Sequence, residues 1–410
     1  MVKGILARAI LEYLKFFAKL RLAQINPTII GVTGSAGKSS CVAAIEAVLK
    51  DKYKVKTTGT TNSESGIPLA ILDLKLVDYS PLYWLRVFVL APVQIIKFLI
   101  HTSKFEILVC EMGIDELTPP KNMGYLLTIV KPTVGVFLNV LPVHTQQMKS
   151  VENIAKEKGK LISSLPANGT AVLNASDEEV MKFSKKTVAT VVTFKDDLTP
   201  IPPAMAVAKV FGLDETQARE SLKKNLRMPP GRDTVLAGIY DSMIIDSSYN
   251  ASPIPMFAAL DQLKKVPGKR KVAVLGDMRE LGDLAEKYHQ LVGHKAVESA
   301  DQIITVGPLS KAYYQKSKKL AGQFDNFHQA GNFLQSFIKP GDVILFKGSQ
   351  NTIFLEGAIE MCLKNKSDAA ELCSRGKFWE KQRQKIIRGD AESNSLNANE
   401  SGPKPQRTSV

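Results

Sequence analysis

Cysteine is scarce in this chain: four in 410 residues, at Cys41, Cys110, Cys362 and Cys373. They lie far apart, and no two form a C-x-x-C pair. That pattern excludes a disulfide framework and a cysteine zinc site, and it points to a reducing compartment. Acidic residues are also in deficit, with 40 Asp and Glu against 54 Lys and Arg, a formal net charge of +14. Polyanionic substrates, nucleic acid or an anionic membrane surface each account for such a balance. No RNA-reading signature and no secretory signal with a cleavage site is present, so nucleic acid is not expected as a partner. Hydrophobic content of 44% and charged content of 23% are those of a globular protein, and the length suits two or three domains.

Glycine is well placed rather than abundant. Residues 31–40 read GVTGSAGKSS after the apolar run PTII. Gly34, Gly37, Lys38 and Ser39 make a phosphate-loop pattern, although Val32 stands where the strict pattern has glycine. Glycines let the backbone N–H groups of Ser35, Ala36 and their neighbours curl around phosphate oxygens. Lysine adds a point charge, and the hydroxyl of Ser39, followed by Ser40, suits Mg²⁺. A buried strand, TIIGVTG, leads in and a helix, SSCVAAIEAVLK, leads out. The turn is thus expected at a helix N-terminus, where anions are favoured.

Residues 1–27 have helical periodicity, with Leu6, Ile10, Leu14 and Phe17 on one face and Lys3, Arg8, Lys15, Lys19 and Arg21 interspersed. Both a membrane-surface helix and a helix packed on the next domain fit this stretch. Residues 28–226 alternate strand-like segments (FEILVCEMG, TVGVFLNV, GTAVLNA) with helical ones, as a parallel α/β sheet requires. Residues 201–226 read as a short helical connection after a proline-rich turn. The apolar stretch 81–100 is long enough for a membrane span, but Arg86, Pro92, Gln94 and Lys97 favour an interfacial or domain-covering helical insertion. From 229 to 365 a second α/β pattern follows, with strands MIIDSS, KVAVLG, QIITVG and DVILFKG. Residues 383–410 are polar and are expected to be disordered.

Several segments bear chemistry. Glu111 ends an apolar strand, where a carboxylate packs poorly but suits a hard cation; an exposed strand-end glutamate fits as well. Asp246, Tyr249 and Asn250 in IDSSYNASP follow a strand, where open α/β sheets bind ligands; an Asx-type turn before Pro253 fits equally.

Taken together, TGSAGKSS, NSESGIPLAIL, LVCEMG, NVLPVHTQ, EKGKLISSLPANGTAVLNASD, PPGR, IIDSSYNASP, VAVLGDMRELG with YHQLVG, and LFKGSQNTIFLE resemble the Mur ligase family over residues 28 to 365. The last four are most similar to its branch that adds D-alanyl-D-alanine. The resemblance implies a P-loop central domain with a parallel sheet and a Rossmann-like C-terminal α/β domain. It implies an ATP-dependent ligase that phosphorylates a carboxylate and lets an amine attack the acyl phosphate. ATP and Mg²⁺ are then the cofactors, and a muramyl-peptide-type carboxylate and a D-Ala-D-Ala-type amine the substrates. The expected setting is cytoplasmic; the basic N-terminal helix and the 81–100 insertion, apart from the resemblance, would suit a contact at the inner face of the membrane.

Residue by residue, the resemblance implies that Lys38 contacts the β/γ-phosphates and that Ser39 and Glu111 hold the first Mg²⁺. His144 and Lys158, the latter as a carbamate, hold a second. Lys156, Lys160 and the metals are expected to depress the Lys158 pKa. Arg232 of PPGR reaches the ATP phosphates, and the loop with Asp246, Tyr249 and Asn250 faces the nucleotide.

The chain departs from the family pattern in four places. Ala36 replaces an asparagine, and Ser39 and Ser40 replace threonines. Asp246-Ser247 replaces a pair of aspartates. The stretch after NASDEEVMKF is short, lacking the strands and the adenine-side helix entry expected there. Only about 27 residues precede the phosphate strand, too few for a uridine-nucleotide domain. Two other readings follow from these departures: a relative with a different, membrane-borne or peptide carboxylate, and a non-catalytic ATP-binding protein.

Overall fold

The structure is a computed structural model that describes residues 2–59, 61–74, 81–100, 104–141, 148, 150–195, 199–279, 281–313, 318–349 and 353–388. The chain divides into two units, the first running to Arg227 and the second starting at Met228.

The first unit is built on strands β1 (Thr28–Thr33), β2 (Val55–Thr57), β3 (Ile107–Glu111), β4 (Val134–Phe137), β5 (Thr170–Asn174) and β6 (Thr190–Phe194), in the order β2-β3-β1-β4-β5-β6. Every pairing is parallel. The central strands are apolar at nearly every position because both faces of the sheet are covered. Helices α1 (Val2–Ile25), α2 (Lys38–Leu49), α3 (Gly66–Ile71), α4 (Pro81–Ile100), α5 (Met123–Ile129), α6 (Val151–Ser163), α7 (Ile201–Val210) and α8 (Glu215–Asn225) surround it. One face packs on α2, α7 and α8, and the other on α3, α5 and α6.

Residues 201–226 are therefore part of the core rather than a connection. Pro202 and Pro203 sit in the first turn of α7, where a missing N–H costs nothing. The strand β6 also occupies part of the stretch in which no strand was expected.

Helices α1 and α4 form an outer layer over α3 through Leu14, Leu69, Leu72, Val87, Ala91 and Ile95. Tyr13 donates its hydroxyl to the Phe88 carbonyl at 2.6 Å. The stretch 81–100 is a covering helix, and no helix among the described residues is long and apolar enough to cross a membrane. Two details of α1 differ from its periodicity. Leu6, expected on the packed face, is 60% exposed. Arg21 is buried and pairs with Asp73 at 2.5 Å, and Lys56 pairs with the same carboxylate at 2.5 Å. Arg21 thus ties α1 to the sheet edge.

The second unit has strands β7 (Thr234–Gly238), β8 (Ser242–Ser247), β9 (Arg270–Gly276), β10 (Gln302–Val306), β11 (Leu320–Phe324) and β12 (Asp342–Lys347) in the order β11-β10-β9-β12-β8-β7. All pairings are parallel except β7 with β8. Helices α9 (Pro253–Lys265) and α10 (Ala285–Ser299) cover one face, and α11 (Phe327–Phe337) and α12 (Leu355–Cys362) the other. A last helix, α13 (Lys377–Arg388), runs six residues into the stretch expected to be disordered. Its Trp379 is buried in the α11–α12 core and its Arg383 is buried beside it, which supplies the apolar anchor the polar composition concealed. Residues 389–410 lie outside the described residues.

Packing around α6 generates a stability prediction. A Cβ added to Gly159 would overlap the Phe183 ring, which is itself buried against Phe137. Helix propensity alone favours alanine over glycine by about 1 kcal/mol. Overpacking a core typically costs about 1–3 kcal/mol. We expect Gly159→Ala to lower the urea midpoint; a midpoint equal to or above that of the parent would show that Phe183 yields freely.

Candidate active site

The glycine-rich turn joins β1 to α2. Gly37 caps the helix in the left-handed region at φ 78°, a conformation that strains any other residue. Asn139, two residues beyond β4, shapes the turn from the side. Its carbonyl accepts Ser35 N–H at 3.0 Å, its side-chain oxygen accepts Ala36 N–H at 2.9 Å, and its side-chain amide donates to Ala36 O at 3.3 Å. Ser35 Oγ accepts from Leu141 N–H at 2.9 Å. The N–H groups of Ser35 and Ala36 therefore hold the loop's shape, contrary to the expectation that they face phosphate. The first-turn N–H groups of α2 at Ser39 and Ser40 have no carbonyl within the helix to reach, and with the helix dipole they form the anion-facing end. Lys38 folds back, donating from Nζ to Gly34 O at 3.0 Å.

Parallel register sets Val32 of β1 opposite Glu111 of β3. Ser39 and Glu111 consequently meet: Ser39 Oγ donates to Glu111 Oε2, and both residues are buried. Asn62 donates to Glu111 Oε1 at 2.8 Å, and Glu111 N–H donates to Thr58 Oγ1 at 3.1 Å. Glu111 is thus an interior, oriented carboxylate and not an exposed strand-end glutamate. Its pairing with a hydroxyl makes an oxygen-only donor set of the kind a hard divalent cation takes.

Lys158 projects from α6 into the same region and is only 3% exposed. Burial, and then the charge of Lys38, depress its pKa well below the ordinary lysine value, against the opposing pull of Asp115 and Glu111. No hydrogen bond to Lys158 Nζ is present among the described residues. The expected causes of its shift are corrected here. Lys156 is exposed, and Lys160 pairs with Glu157 at 2.5 Å. His144 lies outside the described residues. Among the described residues, no group of three or more His, Cys, Asp or Glu is arranged to hold a metal.

In the second unit, the loops at the carboxyl ends of the strands are knitted together. The Arg232 guanidinium stacks on the Tyr249 ring at 3.8 Å, and Tyr249 N–H donates to Gly231 O at 3.0 Å, so PPGR and SSYN form one surface. Tyr249 and Asn250 reach that surface, and Asn250 Oδ1 accepts from Ala251 N–H as an Asx turn does. Asp246 does not reach it. It is fully buried and its Oδ1 accepts from Ser248 N–H at 3.0 Å and Ser248 Oγ at 2.6 Å, which makes it a group beneath the loop. Ser247 receives Lys347 Nζ at 2.9 Å, and Lys347 also donates to Asn250 O at 3.2 Å.

Sequence reasoning named no role for Asn62, Asn139, Lys347 or His289. His289 Nε2 accepts Met278 N–H at 3.0 Å and Nδ1 donates to Ala285 O at 2.6 Å. Burial keeps its pKa down, so the neutral ring braces the GDM turn. The only signal for it was that YHQLVG follows GDMRELG.

Comparison with known proteins agrees with this architecture. Residues 90–206 match the Mur ligase middle domain, and residues 231–350 match the Mur ligase, glutamate ligase domain. The UDP-N-acetylmuramoyl-tripeptide–D-alanyl-D-alanine ligase of Synechocystis is 28% identical over 370 residues, 82% of this chain and 74% of that one. The Bacillus subtilis ligase of the same name is 27% identical, covering 83% of this chain and 77% of its own length. The crystal structure of the MurF ligase from Thermotoga maritima in complex with ADP superposes with a TM-score of 0.70 at 26% identity, over 86% of this chain and 83% of that one. With two domain matches in series and a shared fold, the chain belongs to the Mur ligase family.

Proposed function

We propose that this chain is an ATP-dependent amide ligase that joins the amino group of D-alanyl-D-alanine to the terminal carboxylate of a UDP-muramyl tripeptide, in the synthesis of peptidoglycan precursor. The observation that carries the reading is the meeting of Ser39 and Glu111 at the foot of the phosphate loop, with a buried lysine beside them. The named relatives and the ADP-bound neighbour support it.

In this reading the N-terminus of α2 and Lys38 hold the ATP phosphates, and Ser39 with Glu111 hold Mg²⁺ against them. When bound, Mg²⁺ neutralises charge that builds on the transferring phosphoryl group. The substrate carboxylate oxygen attacks the γ-phosphorus, the bond to the β-phosphate breaks, ADP leaves, and the carboxylate becomes an acyl phosphate. The amine then attacks the acyl carbon, the C–N bond forms, phosphate leaves, and the amine sheds a proton. Lys158, as a carbamate, and His144 are assigned to the second cation. A lowered pKa favours the neutral amine, and only the neutral amine reacts with CO₂. Arg232, a planar and permanently charged fork, is assigned to the phosphates, with Tyr249 supporting its face and Asn250 on the nucleotide side.

The direct test is to incubate the purified chain with ATP, Mg²⁺, D-Ala-D-Ala and UDP-muramyl tripeptide, following phosphate release and product mass. Turnover with other carboxylates alone would favour the relative with a different acceptor. ATP binding without turnover on any acceptor would favour the non-catalytic protein.

We also place the chain in the cytoplasm, with a peripheral contact at the inner membrane face. Leu85, Val89 and Ile96 of α4 are each more than half exposed and fall on one stripe, beside Arg86 and Lys97. No acidic residue interrupts that helix. Each basic residue near an anionic surface adds roughly 1 kcal/mol. Flotation with phosphatidylglycerol vesicles at low salt should carry the protein upward, and Leu85→Ser with Val89→Ser should leave it at the bottom. Equal behaviour of parent and variant would remove the assignment.

Three substitutions, at two positions, test the site. Asn139→Ala leaves Ala36 N–H and O without their partner, and a lost buried hydrogen bond costs about 1–3 kcal/mol. We expect ATP affinity measured by calorimetry to fall roughly tenfold or more, since about 1.4 kcal/mol is one decade. Unchanged affinity would show that the loop holds its shape alone. Lys158→Arg keeps the positive charge and cannot form a carbamate, so it should be inactive. Lys158→Ala should be slow and partly rescued by formate or acetate, which supply the missing oxygen ligands. Full activity in Lys158→Arg would sink the carbamate assignment.

A further inference from the structure

Unpartnered buried oxygens gather at one place in the second unit. Thr234 Oγ1, Asp246 Oδ2, both carboxylate oxygens of Glu356 and Ser374 Oγ are buried with no hydrogen-bond partner among the described residues. Every buried carboxylate oxygen without a partner among those residues belongs to this group. Thr234 and Asp246 are directly opposed across the antiparallel β7–β8 pair, which puts their Cβ atoms about 4.5–5.5 Å apart. Glu356 comes from the first turn of α12, which packs on that face of the sheet. Asp246 and Glu356 are both 0% exposed.

The surrounding chain closes a ring. Asp246 Oδ1 is held by Ser248, whose hydroxyl lies 3.6 Å from Cys373 Sγ. The next residue, Ser374, is in the left-handed region at φ 55°, and its carbonyl accepts from Arg383 Nη1 at 2.9 Å. The same Nη1 stands 3.9 Å from Glu356 Oε1, too far for a hydrogen bond. The Ser374 hydroxyl approaches that carboxylate without completing a hydrogen bond.

Burying an ionised carboxylate without a partner is costly. Here two are buried, with the Arg383 guanidinium at long range from Glu356 and the buried Lys347 ammonium acting on Asp246 through its charge alone, so no cation hydrogen-bonds the unpartnered oxygens. All five unpartnered atoms are oxygens. The adjacent thiol of Cys373 is pushed far up by burial and by both carboxylates, so it is no thiolate ligand. Oxygen-only donors of mixed carboxylate and hydroxyl type select a hard cation. Two cationic side chains already act on the two carboxylates, so the ion of lower charge, a monovalent one, is favoured over a divalent one.

We propose that Asp246, Glu356, Thr234 and Ser374 bind a monovalent cation of the potassium class inside the C-terminal domain. The ion stiffens the segment 246–250 from below and fastens α12 to β8 and to the segment before α13. Burial raises the Glu356 carboxyl to about 7, so a proton is the competing occupant.

The test needs no turnover and is independent of the assigned ligase activity. The full chain is melted at pH 8 in N-methyl-D-glucamine chloride and in KCl at equal ionic strength. We expect a saturable rise of about 2–4 °C with K⁺, the scale of a modest binding linkage in domains of this size. Crystals soaked in Tl⁺ should show an anomalous peak among the four side chains. Glu356→Gln should abolish both effects; should it fail to fold, Thr234→Val, which removes one neutral donor, should weaken them. Melting that is indifferent to K⁺, a Tl⁺ map with no peak at these oxygens, or a K⁺ shift that survives in Glu356→Gln would each overturn the proposal and leave a protonated Glu356 as the occupant.

Discussion

The parallel register of β1 with its two neighbours is the constraint on which the first unit depends. Val32 lies opposite Glu111 on one side and Val136 on the other. That alignment brings three strand ends level, so the turn after β1, the carboxylate ending β3 and Asn139 beyond β4 occupy one small volume. A slip of one residue in β3 would send Glu111 to the opposite face and replace it with an apolar side chain. The Ser39–Glu111 contact is therefore a product of sheet geometry, and the apolar strands that fix the register serve the site as directly as the polar residues do. Asn139 then shapes a loop that has too few side chains to shape itself.

The second unit uses the same end of a parallel sheet with a different kind of fastening. Hydrogen bonds tie its loops to one another. Ser349 N–H donates to Asp277 O, Ser349 Oγ donates to Ala251 O and accepts Arg279 N–H, and Ser310 N–H donates to the Asp277 carboxylate. Burial raises Asp277 to about 6 and keeps His289 neutral. Four strand-end loops are thereby joined into one hydrogen-bonded floor. Such cross-linking supplies pre-organisation, in which bound groups meet a surface already in place.

Much of this was legible in the sequence where a pattern has a local cause. The buried strands β1, β3, β4, β5, β8, β9, β10 and β12 announce themselves as apolar runs, and the glycine turn as a break between a strand and a helix. The short or half-exposed strands β2, β6, β7 and β11 have no such run, so they escaped. The roles of Glu111 and Lys158 came from family resemblance, since a lone Glu or Lys carries no pattern. Their burial is tertiary: Glu111 is interior because of register, and Asp246 is interior because β7 folds back antiparallel over the edge of β8. The tail misled for a similar reason. Trp379 and Ile386, with the buried Arg383, dock a helix whose remaining residues are mostly polar or charged.

Lys158 shows how a tertiary effect becomes chemistry. Its helix is fixed by apolar contacts on both sides of it in sequence: Ile154 and Ala155 before, Leu161 and Ile162 after, all buried in one cluster. Gly159 has no side chain because Phe183 occupies the space. These neighbours dictate the rotation of α6 and leave Lys158 nowhere to go but inward. An ammonium held there must give up much of its hydration while facing a second lysine. A long apolar side chain would pack at lower cost, so the lysine is not there for stability. Burial and the charge of Lys38 shift the balance away from the ammonium and toward the neutral amine. Of these influences only the charge of Lys38 would favour an anion there: desolvation opposes any charge, and Asp115 and Glu111 pull toward the ammonium.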